Sequence, residues 1–199
     1  MADSDLNEAP RGVSVLRVDP GFARRLGLAA LSGYGAWPAG LAGDRLEELW
    51  SLPFSSWTNI FVGALFGALV LVPRITARSQ RGFRIAALVV AGILIYTFAV
   101  WLAVINWGPL NLGGAVSVVA SGILGACLVT GATLLCAPLE ASPRIWGLAV
   151  AAGLGGGAVF HYAISADTGP PALVIGTGYA VWQLLVALAL ELGAHAPPD

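Results

Sequence analysis

Lysine is absent from this chain of 199 residues, and cysteine and histidine occur only twice each. All ten basic residues are therefore arginine, which with the abundance of Ala and Gly suggests a GC-rich bacterial genome and says nothing about chemistry. Only His161 falls inside an apolar stretch, which excludes a bis-histidine haem, since that needs two imidazoles facing each other. Metal sites built on two or three histidines fail for the same reason, so neither a metal nor a cofactor is expected. Cys127 and Cys136 share one predicted helix, about 13 Å apart along its axis. That is beyond the reach of a disulfide, and they are read as free thiols. The C-x-x-C pair of a thiol oxidoreductase is missing, as are a nucleotide loop and any nucleic-acid motif.

Charge is scarce as well. Charged residues make up 11% of the chain against 57% apolar, and mean hydropathy is +0.81. This balance is far from that of soluble domains and identifies an integral membrane protein.

Four runs, Ile85–Trp107, Leu112–Cys136, Ile145–Ser165 and Pro171–Leu192, are each long enough to cross about 30 Å of hydrocarbon at about 1.5 Å per residue. A fifth, Trp57–Val72, suffices once Pro53 to Ser56 adds a turn at the interface. The stretch 26–43 is uncharged but broken by Gly and Pro, so it reads as a sixth span, a re-entrant segment or a surface loop. Arginine placement favours the sixth span, because basic residues in short loops collect on the cytoplasmic side. With Arg74, Arg78, Arg81 and Arg84 inside, Arg24 and Arg25 also fall inside, while Asp44 to Glu48 falls outside. The expected fold is therefore an all-α polytopic bundle with spans at about 26–43, 54–73, 85–107, 112–136, 145–165 and 171–192. If 26–43 does not cross, the count is five.

Residues 1–25 are expected to form a cytoplasmic arm with no cleaved signal, and 193–199 a cytoplasmic tail. Trp50, Trp57, Trp107 and Trp146 fall at interface depth, whereas Trp37, Trp101 and Trp182 lie deeper, against lipid or other helices. Small residues recur at four-residue spacing in Gly63/Gly67, Ser121/Gly125, Gly153/Gly157 and Ala172/Gly176/Ala180, the pattern that lets membrane helices approach closely. Within the run around Gly155, a Gly155→Leu change is expected to damage assembly.

The search for chemistry yields little. An ionisable group inside a membrane is a functional candidate because its charge is costly there, and His161 alone meets the condition; Glu191, at a span end, is expected to reach water. Ala120-Ser121-Gly122 together with His161 is superficially similar to the Ser–His dyad of rhomboid intramembrane proteases. In this sequence, however, Ser121 lies about 14 Å and His161 about 6 Å from the outer face, a mismatch far beyond hydrogen-bond reach. Ser121 is better read as a packing residue bonded back to a helix carbonyl. Asn59, Ser117, His161, Thr177 and Tyr179, with Gln183 deeper, are candidates to bind a polar ligand or lipid headgroup if they share a face. Arg74, Arg78 and Arg81 are spaced to present one basic face to anionic headgroups, with Arg84 beside them. No buried Asp or Glu suits a proton pump or ion-coupled carrier. The expectation is a non-catalytic multi-pass protein of the bacterial inner membrane, both termini cytoplasmic. It would act as a structural or accessory component of a membrane complex, with a protein partner or further copies of itself. A small-solute or lipid transporter or channel with a polar site near His161 is the alternative.

Overall fold

The computed structural model describes residues 20–35, 38, 42, 54–75, 79–104, 113–137, 139–165 and 171–194. Among these, regular structure is entirely helical. Helix α1 covers Pro20–Tyr34. It therefore begins within the segment read as an arm, with Pro20 at the first position, where a preset φ and a missing N–H cost nothing. Most of 36–53, including Trp37, Asp44 to Glu48 and Trp50, lies outside the described residues, as do residues 1–19, Arg78, residues 105–112, Asp167 and His195. How 26–43 ends, and so whether it crosses, falls there too.

Helix α2, Phe54–Phe66, runs directly into a π-turn, Gly67–Leu71, and a 3-10 turn, Val72–Arg74. Pro73 is the physical reason: it lacks an N–H and its ring collides with the carbonyl one turn back. The helix widens ahead of it, with Val72 N–H bonding to the Gly67 carbonyl. Helices α3 (Arg81–Val104), α4 (Gly113–Cys136), α5 (Pro143–Ser165) and α6 (Pro171–Ala194) complete the described elements. These four are long and apolar enough to cross a membrane, and the apolar helix Ile60–Arg74 is a shorter fifth. Ser142 caps α5 by accepting the Ile145 N–H at 3.3 Å, ahead of Pro143.

Each helix from α2 to α6 packs on the next in sequence, and α1 closes the ring by lying against α6 and touching α2. The ring has an Arg-rich end, where α2 and α4 finish and α3 begins, and an opposite end carrying Val104, Gly113 and Ser165. Its centre is filled by Val62, Phe66, Tyr96, Val129, Trp182, Val186 and Leu190.

Backbone contact at glycines holds neighbours together. A methyl group on Gly63 would lie 2.6 Å from the Gly92 carbonyl oxygen, and one on Gly153 would lie 2.5 Å from Ile123 Cα. Gly156 packs as tightly on Trp182, where a Cβ would meet Cα at 2.9 Å. Gly155, which the sequence singles out, faces only the end of Leu185 at an ordinary 3.4 Å. The interface therefore runs through Gly153, Gly156 and Gly157, and a side chain at 155 has room that those three lack.

Candidate functional site

Two features stand out from this packing, one at the Arg-rich end and one that starts midway along the bundle. At the Arg-rich end, the first turns of α1 bring Arg25 to the last turn of α6, and the 3-10 turn after α2 delivers Arg74 to the same point. Arg25 forks onto Glu191, Nε to Oε1 at 2.7 Å and Nη2 to Oε2 at 2.9 Å. Arg74 Nη2 donates to the same Oε1 at 2.7 Å. The side chains of Glu191 and Arg74 are 3% and 7% exposed, against 26% for Arg25. Glu191, expected to reach water, is instead buried between two guanidiniums, because α1 and the turn after α2 close over the end of α6. Charge-assisted, forked bonds of this kind are the strong ones, and Arg74 Nε remains buried without a partner.

This clamp divides the basic cluster. Arg74 is consumed inside the protein, Arg81 is exposed, and Arg84 is half-buried with Nη1 donating to the Cys136 carbonyl at 3.1 Å. Of the four, Arg81 is the described one open to a headgroup.

Midway along the bundle, the Ser32 hydroxyl of α1 lies within hydrogen-bond reach of both Gln183 Oε1 of α6 and the Ala29 carbonyl, which compete for its one proton. Gln183 is fully buried, and its side chain faces the buried Tyr96 hydroxyl, near enough for the two to interact. From here an aromatic chain runs outward. Tyr96 meets Trp182 edge-on, with ring centroids 5.3 Å apart and planes at 87°. Tyr96 also lies 5.8 Å from Tyr179, which packs edge-on against Phe160 at 5.2 Å. The chain borders a partly open cavity of about 60 Å³ between α3, α4, α5 and α6, with Ala99, Ala103, Ser121 and Gly122 among its walls. The wall polar groups turn inward: Ser121 Oγ donates to the Val118 carbonyl at 2.7 Å, and Trp182 Nε1 to the Gly122 carbonyl at 3.1 Å.

The described polar candidates are spread over α4, α5 and α6. Tyr179 alone lines the cavity, and Gln183, one turn further along α6, belongs to the Ser32 contact. Thr177 bonds back to the Leu173 carbonyl at 2.9 Å, and Ser117 is buried on α4. His161 is half-buried, with Nδ1 unpartnered. The Asn59 side chain lies outside the described residues. Ser121 carries the back-bond expected of a packing residue, so its proton is already committed to a helix carbonyl.

Cys127 and Cys136 are free, and among the described residues no group of three potential metal ligands occurs. Sequence reasoning missed Arg25, Glu191, Tyr96 and Phe160. The signal for the first two was present, since Arg25, Arg74 and Glu191 all fall at one membrane level once arginines are placed on one side. Tyr96 is the lone tyrosine of α3, and that too was visible. Comparisons with protein-family models, characterised proteins and solved structures find no match for this chain.

Proposed function

We propose that this chain is a non-catalytic, multi-pass component of a bacterial inner membrane, serving as a structural or accessory subunit of a larger membrane complex. Both termini lie on the cytoplasmic side in this reading. The observation that carries it is the clamp on Glu191. The buried carboxylate among the described residues is neutralised by two arginines of the same chain. That use of charge ties three helices together instead of offering a group to a proton or an ion. Backbone contacts at Gly63, Gly92, Gly153 and Gly157 add to it, since helices in such contact slide only with loss of close packing. The small-solute alternative draws less support, because the cavity is walled almost entirely by apolar surface and Thr177, Ser117, His161 and Gln183 are not among its lining residues.

Substitution of His161 by Phe separates the readings. An accessory subunit keeps its partner and the activity of the complex. A transporter with a polar site at His161 loses flux or ligand binding in the same variant, and that result would overturn the proposal.

A further inference from the structure

We propose that the aromatic-lined cavity is a seat for a segment of one hydrocarbon chain of a membrane phospholipid. Its position sets the chemistry. Along α3 the wall runs from Ile95 to Ala103, about 12 Å of helix, in the half of the bundle away from the Arg-rich end. Ala99, Val100 and Ala103 on this wall are half-buried, so the space opens among side chains at the depth of acyl chains.

The surface that the walls turn to the cavity is almost wholly apolar, although Tyr96 and Tyr179 are among them. The Ser121 hydroxyl and the Trp182 indole N–H both donate to helix carbonyls of α4. A trapped water needs two to four polar partners, so water is a poor filling and a charged solute a worse one. A methylene chain needs none. Leaving the space empty would forfeit the dispersion contacts of Tyr96, Phe160, Tyr179 and Trp182, so whatever apolar body reaches the opening is drawn in. In a bilayer that body is the acyl chain of a neighbouring lipid.

The seat is also shaped. The edge-on Tyr96–Trp182 and Phe160–Tyr179 pairs give it walls fixed in two directions. Ala99 and Ala103, one turn apart on α3, leave the room that larger neighbours such as Ile95 would take. This inference does not depend on the accessory-subunit reading.

The test uses the whole protein in vesicles of phosphatidylcholine that carries a photoactivatable group within one acyl chain. Peptide mass spectrometry then maps the adducts. Leu94 and Trp101, exposed on the outside of α3, label in any folded bundle and serve as the internal standard. The expected result is additional labelling of Tyr96, Phe160 or Trp182. That inner labelling should be lost in an Ala99→Leu, Ala103→Phe variant that keeps the outer adducts. Labelling confined to the outer residues in the unmodified protein would overturn the proposal. So would inner labelling that persists unchanged in the filled variant. A variant whose outer pattern also changes has not kept the bundle, and Ala103→Leu alone then gives the same comparison with a smaller insertion.

Discussion

The carboxylate of Glu191 receives both arms of the Arg25 guanidinium, at 2.7 and 2.9 Å, across 166 residues of sequence. That pairing joins the first described helix to the last and closes the ring at its Arg-rich end. Arg74 adds a third helix to the same point. A buried ion pair of this kind is weak evidence of net stability, because taking the charges out of water offsets much of their attraction. Its consequence is asymmetric: losing one partner strands the others.

Glu191→Ala therefore should cost about 3–5 kcal/mol, the range for breaking a buried pair. Two guanidiniums would be left facing each other. Arg74→Met should cost less, since Arg25 still holds the carboxylate, and the double change Arg74→Met, Glu191→Leu should recover part of the loss. Thermal unfolding in one detergent reads all three. A Glu191→Ala protein as stable as the parent would show that the clamp contributes nothing.

Two glycines of α5 should respond oppositely to a methyl group. Gly156→Ala drives a Cβ to 2.9 Å from Trp182 Cα and should destabilise the bundle by about 1–3 kcal/mol, as overpacking does. Gly147 has no atom within 4 Å of that position, so Gly147→Ala should be neutral or slightly stabilising. The same melting measurement compares them, and equal effects would contradict the packing described.

Trp182→Phe removes the donor to the Gly122 carbonyl and should cost about 1 kcal/mol for that bond, with a further loss from the smaller ring. Ser32→Ala takes the hydroxyl from fully buried Gln183 and should cost about 1–3 kcal/mol, the range for leaving a buried polar group unsatisfied. Chemical denaturation in detergent micelles checks both. Either variant matching the parent would place its hydrogen bond among those of no consequence.

Topology gives a separate prediction. In a background with Cys127 and Cys136 replaced by Ala, Ser79→Cys should react with a membrane-impermeant maleimide from the cytoplasmic side only. Ser165→Cys should react from the outer side only. Both positions are exposed at opposite ends of the bundle. Labelling of both from one side would contradict alternating passage.

The helical character of the chain was legible because hydropathy and length together demand it, and Pro143 and Pro171 mark helix starts in the usual way. The π-turn ahead of Pro73 was not foreseen, although the proline that causes it is plain in the sequence. The small-residue spacing identified the faces of α2 and α5 that pack. It could not tell Gly155 from Gly156, since one step along a helix turns the side chain by about a quarter of a turn or more. Which polar residues share a face was not legible for a related reason. Periodicity orients a residue on its own helix, whereas a site depends on the rotation of six helices relative to one another. The clamp was missed because each arginine had an adequate explanation as a topology signal, and pairing across 166 positions leaves no local trace.

The most direct measurement of the central claim is native mass spectrometry of the protein extracted gently from its own membrane. An accessory subunit should appear with a different protein at fixed stoichiometry, and that association should survive His161→Phe. Recovery of the chain only alone or with copies of itself, across extraction conditions that preserve known complexes of the same membrane, would contradict the account.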